Sequence, residues 1–269
     1  MPARLKQRCQ PRRRLLRLGL AALAGLLAVA ALIVVYAVAV EPHWVAVRTI
    51  RLAARPVVRL VHITDLHYKG DRAYLQRVVK RINATHADAL CFTGDLVEDA
   101  GYLVEALRLL SLVRLPMYGV RGNHDELGDG NLARVQACFA ASGGSWLTDE
   151  RVSALGGRLD IFGSAGRLHL IAPDPAGTAP ARYVLLVHDP ALVRNLAGTR
   201  FDLILAGHTH GSQLRFPGGG PLFDLPLVEG YARGLYQTPA GPLYVNPGLG
   251  TFYLPIRFGC RPEITVMDI

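Results

Sequence analysis

Gly122-Asn123-His124-Asp125 stands between an apolar run, Met117 to Val120, and a glycine-rich turn, Glu126 to Gly130. An apolar run of that kind reads as a buried strand, and a Gly/Asp cluster directly after it as the loop at the strand's C-terminal end. Open α/β sheets bind their ligands at that edge. Within three successive residues the loop offers an amide oxygen, an imidazole and a carboxylate: a metal ligand, a proton donor or charge stabiliser, and an orienting partner. The tetrapeptide alone also fits an ordinary polar turn. Its meaning depends on what ends the other strands.

Working outward, Val57 to Thr64 is apolar and β-branched and ends in Asp65 and His67, while Ala89 to Thr93 ends in Gly94-Asp95. Arg72 to Thr85 and Tyr102 to Leu112 carry apolar residues at helical spacing between these runs. A βαβαβ order forces parallel strands with right-handed crossovers, so all three polar loops emerge at one edge of one sheet. Asn131 to Ser142 reads as a further helix. Beyond it, Tyr183 to Val187 ends at His188, and Leu203 to Ala206 ends in Gly207-His208-Thr209-His210. The later half, with Trp146-Leu147, Val152 to Leu155, Leu159 to Phe162, Leu243 to Val245 and Ile264 to Met267, is expected to form a second sheet facing the first. Pro173 to Pro180 reads as an exposed loop.

The 269 residues include 51% hydrophobic side chains, ample for a core, but part of that content is not core. Leu18 to Val40 holds no charged residue and is long enough to cross a hydrocarbon layer as a helix. The net charge of +9 is concentrated before it, at Arg4, Lys6, Arg8, Arg12, Arg13, Arg14 and Arg17. That placement is a membrane-orientation signal rather than a nucleic-acid footprint, and no nucleic-acid partner is expected. Residues 1–40 therefore read as a basic flank with a single-pass anchor in the cytoplasmic membrane. A cleaved signal is the alternative, since Ala37-Val38-Ala39 fits a cleavage site and Arg12-Arg13-Arg14-Leu15-Leu16-Arg17 resembles a twin-arginine export signal. Residues 41–56, with Trp44 among arginines, read either as a short helix at headgroup level or as a linker packed on the domain. Residues 57–269 form one domain. Cys9, Cys91, Cys138 and Cys260 show neither zinc-ribbon nor disulfide spacing, and Cys91 and Cys138 read as inert core thiols.

The strand ends together supply Asp65, His67, Asp95, Asn123, His124, His188, His208 and His210. Oxygen and imidazole donors without thiolates suit Mn, Fe, Ni, Zn or Mg rather than a structural sulfur-bound zinc. The set is too large for one ion with an open position and suits two ions that share a carboxylate. His62, His43, His86 and His169 fall in no such pattern and read as structural or surface residues.

Asp-x-His, Gly-Asp, Gly-Asn-His-Asp, a lone His after a strand and Gly-His-Thr-His, in this order, resemble the calcineurin-like metallophosphoesterases from about residue 57 to the C-terminus. The resemblance implies an α/β fold, an α/β/β/α sandwich of two mixed sheets behind the N-terminal transmembrane helix. It implies that Asp65, His67 and His210 hold one ion and Asn123, His188 and His208 the other, with Asp95 bridging and manganese the first expectation. It further implies that His124 stands over the leaving group, oriented by Asp125. The tail from Val245 to Glu263 is similar to a bacterial membrane-associated branch that includes twin-arginine-exported phosphodiesterases and the chlamydial UDP-2,3-diacylglucosamine hydrolase. Asp189 and Ser212 depart from that pattern at positions that are not ligands. Arg257 reads either as a phosphate contact for substrate binding or as a surface arginine.

The expected function is dinuclear-metal hydrolysis of a phosphoester or anhydride by a monomer, with a lipid-linked substrate and the catalytic domain on the outer side of the membrane. Leu214, Phe216, Leu222, Phe223, Leu225, Leu227, Leu249, Phe252, Tyr253, Leu254 and Phe258, set among glycines and prolines, motivate the lipid. The competing class is a scaffold of the same fold that binds a partner without turnover.

Overall fold

Strand pairing in the computed structural model, which describes residues 10–126, 128–166, 182–196, 198–216, 219–222 and 230–269, gathers the chain into two six-stranded sheets. The first sheet holds β1 (Ala46–Arg51), β2 (Arg59–Ile63), β3 (Ala89–Phe92), β4 (Met117–Val120), β5 (Ser145–Leu147) and β12 (Glu263–Asp268), in the order β1-β12-β2-β3-β4-β5. Strands β2 to β5 run parallel, as the βαβ order requires, and β12 is antiparallel to β2. The second sheet holds β6 (Glu150–Ala154), β7 (Leu159–Ser164), β8 (Arg182–Val187), β9 (Leu203–Ala206), β10 (Gly234–Thr238) and β11 (Gly241–Val245), in the order β10-β11-β9-β8-β7-β6. Its central strands β7, β8, β9 and β11 are parallel, and the edges β6 and β10 are antiparallel.

Side-chain alternation sorts the apolar residues into three layers. Val61 and Ile63 of β2 and Leu90 and Phe92 of β3 face α2 (Arg72–Asn83), α3 (Leu103–Leu110) and α4 (Asp129–Ala141), whose Leu75, Val78, Ile82, Leu103, Leu110 and Phe139 close that core. Asp71 starts α2 by accepting a 2.9 Å bond from the Tyr74 amide, and Lys80 and Arg81 lie in its last turn, against the negative end of the helix dipole. Leu60, Cys91 and Val120 meet Ile161, Val184, Leu186 and Leu205 between the sheets. On the far side of the second sheet, Leu185, Val187, Ile204 and Val245 pack on Val193 and Leu196.

The structure departs from the expected arrangement at several points. Ile264–Met267 belongs to the first sheet, inserted as β12 between β1 and β2, and Trp146-Leu147 ends the same sheet as β5. Ala46–Arg51, read as an interfacial helix or linker, is an edge strand parallel to β12, so the folded body begins before residue 57. Its mostly exposed side chains conceal it: Ile50 packs on the core, while Arg48 and Arg51 face Glu263 and Asp268 of the neighbouring strand. Among the described residues the outer face of the second sheet carries a 3-10 turn, Pro190–Asn195, in place of the expected α-helical layer. The loop 173–180, His169, Phe223, Leu225, Leu227, Cys9 and the basic residues before position 10 lie outside the described residues.

N-terminal to this body, α1 (Gln10–Val35) continues through a π-helical turn, Tyr36–Val40, and a 3-10 turn, Glu41–His43. The helix is long and apolar enough to cross a membrane, and its most apolar stretch is not buried against the protein. Its end is docked: the Arg257 amide donates to Ala37 O at 2.9 Å, and Glu41, 1% exposed, accepts from the amides of Gly259 and Cys260.

Candidate metal centre

Five of the seven metal ligands predicted from sequence leave their strands in a conformation that side chains ordinarily avoid. Asp65 (φ 48), His67 (φ 39), Asp95 (φ 59), His208 (φ 70) and His210 (φ 50) all lie in the left-handed region. Each costs about 1–3 kcal/mol, and such outliers persist where surrounding structure holds a functional site. Glycines let the loops approach closely: a Cβ on Gly122 would lie 2.0 Å from an Asp95 carboxylate oxygen, and one on Gly207 would lie 2.4 Å from an Asp65 oxygen. The glycine of each Gly-Asn-His-Asp and Gly-His-Thr-His motif is therefore a packing requirement of the neighbouring ligand.

These loops bring the donors into two adjoining groups. Asp65, His67, Asp95 and His210 offer ligand atoms all within 4.8 Å of one another. His67 Nε2 lies 3.1 Å from His210 Nε2, which in turn is 3.4 Å from an Asp65 oxygen. On the other side, Asn123 Oδ1 lies 2.8 Å from His188 Nε2 and 2.9 Å from His208 Nδ1, and those two nitrogens are 3.1 Å apart. Asp95 joins the groups, since one oxygen is 3.3 Å from His67 Nε2 and 3.4 Å from His188 Nε2.

The outer nitrogens set the tautomers. His67 Nδ1 faces Glu98 Oε2 at 2.9 Å and His188 Nδ1 faces the Thr93 carbonyl at 2.7 Å. Both partners only accept, so each Nδ1 carries a proton, and a neutral ring in that tautomer would turn its Nε2 lone pair inward toward a bound ion. Lone pairs and carboxylate oxygens then converge with few donors among them, which is repulsive unless cations or retained protons intervene. Separations near 3 Å are also those of neighbouring ligands that share an ion about 2.1 Å away. The donor set therefore fits divalent ions.

The titration directions describe the same cluster. Burial raises the Asp65 carboxyl to about 6, whereas Asp95, despite burial, is held well below the usual carboxylate range by hydrogen bonds from His188 and His67. Burial alone would lower His188, but Asp95 overrides it and lifts the ring to about 9. His210 is pushed well below its ordinary value by burial and then by His67. Protons and metal thus compete for one set of atoms.

His124 stands at the rim, half-buried, with its amide donating to Asp95 Oδ1 at 2.9 Å. Its ring is 5.1 Å from that of His67 and 5.0 Å from that of Phe252, and it borders a cavity of about 30 Å³ shared with Asp95, Asn123, His208, His210 and Phe252. Asp125 does not orient that ring. Its carboxylate accepts from the amides of Asp95, Leu96 and Gly122, each at 2.8 Å, and so clamps the loop after β3 to the loop after β4.

Arg257 is likewise corrected. It is fully buried, and its guanidinium donates to the carbonyls of Pro247, Gly248, Gly250 and Cys260, leaving none of it exposed to a phosphate. His62 is a core histidine, bonded to Thr93 Oγ1 at 2.9 Å and lowered to about 3 by burial. Cys91 is fully buried and its thiol is raised to about 12, as befits an inert core residue. Asp189 caps the 3-10 turn after it through the Ala191 amide at 2.8 Å.

Sequence reasoning missed Glu98, although an acid three residues beyond Asp95 in a ligand loop is a usual partner for the outer nitrogen of a ligating histidine. It also missed how closely Phe252 belongs to the centre, where its ring stacks on His210 at 5.7 Å.

Comparison with known proteins bears on this arrangement directly. The model of the calcineurin-like phosphoesterase family matches residues 58–212. The chain belongs to that family. It is 31% identical over 256 residues to the uncharacterized metallophosphoesterase YkuE of Bacillus subtilis (strain 168), covering 87% of this chain and 88% of the relative. Phosphodiesterase YaeI of Escherichia coli (strain K12) is 35% identical over 97 residues, 36% of each chain. A transmembrane protein with metallophosphoesterase domain from Danio rerio is 28% identical over 237 residues, 77% of this chain and 52% of that protein. This phosphoesterase has a cluster of Asp and His side chains able to bind metal, consistent with a metal-dependent hydrolase.

Proposed function

We propose that the phosphoesterase holds two divalent ions, manganese first among the candidates, and hydrolyses a phosphodiester or phosphoanhydride carried on a membrane lipid, the class that includes UDP-diacylglucosamine-type substrates. The observation that carries the dinuclear reading is the Asp95 carboxylate, with one oxygen 3.3 Å from His67 Nε2 and 3.4 Å from His188 Nε2. Asp65, His67 and His210 would hold the ion on one side and Asn123, His188 and His208 the ion on the other. Such ions polarise the phosphoryl oxygens and acidify water for in-line attack.

The protein's own groups do the rest. Glu98 and the Thr93 carbonyl keep two imidazoles in the tautomer that faces inward. Asp125 holds the two loops in register. His124, beside the ligands but not among them, can donate a proton to the departing oxygen or stabilise charge on the phosphoryl group. Phe252 walls the cavity and excludes water from one side.

The lipid reading draws on the apolar helix that ends against residues 257–260 and on exposed Tyr253 and Leu254 next to Phe252. The test is metal analysis and turnover of bis(p-nitrophenyl) phosphate with added manganese, in wild type and in Asp95→Ala. The expected result is about two ions per chain and turnover in wild type, and loss of both in the variant. A variant that kept two ions and full turnover would refute the bridging role. Wild type with two ions and no turnover of soluble or lipid diesters would favour the scaffold.

A further inference from the structure

Among the described residues, the aromatic side chains that leave half or more of their surface to solvent are Trp44 (50%), Phe216 (58%) and Tyr253 (87%), and Leu254 adds 57%. All four converge on one segment, residues 252–261. The Arg261 guanidinium lies 3.9 Å from the centre of the Trp44 ring and donates to Trp44 O at 2.8 Å. The amide of Arg215, next to Phe216, donates to Phe258 O at 2.8 Å. Tyr253 and Leu254 form the tip of the segment itself.

That tip is tied back to the domain by hydrogen bonds. Gln213 accepts from the Phe252 amide at 2.6 Å and donates to the Phe252 carbonyl at 3.1 Å. Tyr253 sits at φ 56, an uncommon conformation for an aromatic residue that holds its side chain outward.

The same segment is bonded to the end of the apolar helix, through Arg257 N to Ala37 O at 2.9 Å and through Glu41 to the amides of Gly259 and Cys260. As a helix, Leu18 to Val40 is roughly 33 Å long, which matches a hydrocarbon layer of about 30 Å and sets Ala37 near its boundary. Leu254 precedes Arg257 by three residues, so it lies within about 11 Å of that level along the chain. Aromatic side chains at that depth are the usual interfacial anchors.

We propose that Trp44, Phe216, Tyr253 and Leu254 form one membrane-contact face, seated in the headgroup layer of the bilayer that α1 crosses. The phosphoesterase centre then works at lipid-headgroup level, because Phe252, whose ring is 3.9 Å from that of Tyr253, stacks on His210. The contact face rests on α1 as a membrane span. Its consequence for the substrate rests in addition on the proposed hydrolysis of lipid phosphoesters.

The experiment uses the full chain in phosphatidylcholine/phosphatidylglycerol nanodiscs with or without shallow-brominated acyl chains. Tyr253→Trp is compared with Leu112→Trp, an exposed site past α3 at the opposite edge of the strands. With the emission of native Trp44 and Trp146 subtracted using the wild-type chain, the Trp added at 253 should lose about half its emission to the brominated lipid while the one at 112 loses none. Equal quenching at both sites, or none at 253 because the tip is bare or covered by a second copy, overturns the contact face. This readout needs no turnover, so it stands or falls apart from the phosphoesterase reading. Replacing Tyr253 and Leu254 together by Ser should lower the ratio of bilayer-diester to bis(p-nitrophenyl) phosphate turnover about tenfold, the scale of the apolar burial removed. An unchanged ratio overturns the substrate consequence alone.

Discussion

Replacing Asp125 separates two roles that its position next to His124 suggests. Its carboxylate accepts three buried amides, from Asp95 and Gly122 on Oδ2 and from Leu96 on Oδ1. In Asp125→Ala all three lose their acceptor at a site where the side chain is 5% exposed. At about 1–2 kcal/mol per orphaned donor, less the relief of no longer burying a carboxylate, the loss should be roughly 3–4 kcal/mol. For a domain of this size that is a drop in Tm of about 10 °C. Asp125→Asn keeps one oxygen, which can face the Asp95 and Gly122 amides while its NH2 opposes Leu96, so the drop should be about a third as large. Thermal unfolding followed by circular dichroism, with the full chain in detergent and metal first saturating and then chelated, reads both variants. Because the clamp ties two ligand loops together, metal affinity should fall in the order wild type, Asn, Ala. The reasoning fails if both variants melt within about 2 °C of wild type while kcat drops, since Asp125 would then act on the His124 ring.

Other outcomes follow from the same geometry. His124→Ala should lower kcat by about 10²–10⁴ with metal content intact, and a loss of metal would mean that the ring is a ligand. Burial lowers His62 to about 3 from an ordinary 6.5, so the unfolded chain takes up that proton first. Its share of stability is complete above about pH 6.5 and is lost, at about 1.4 kcal/mol per unit, as pH falls toward 3. Melting curves of His62→Gln across that window should be flatter than those of wild type, and parallel curves would refute the assignment. With Arg12, Arg13, Arg14 and Arg17 in the first turns of α1, ahead of its apolar stretch and in an order that resembles a twin-arginine export signal, a reporter fused after Ile269 should be active outside the cytoplasm, and activity confined to the cytoplasm would reverse the orientation.

Much of the centre is legible in the sequence. Apolar runs ending in Asp65-x-His67, Gly94-Asp95 and Gly122-Asn123-His124-Asp125, separated by helical spacing, leave one outcome: parallel strands joined by right-handed crossovers whose C-terminal ends share an edge. That rule is local in sequence and handed by covalent geometry, so it needs no knowledge of distant partners. Tertiary structure alone decided that β12 slots between β1 and β2, because any apolar strand can pair with any other and β1 carries arginines where a core strand carries valines. It alone made Arg257, read as a phosphate contact or a surface arginine, a buried clamp on carbonyls, and Asp125, read as a partner of His124, an acceptor for three amides. The physical reason is common to all of these. Backbone N–H and C=O groups are the same at every residue but proline, so the sequence does not single out which distant side chain or strand satisfies them.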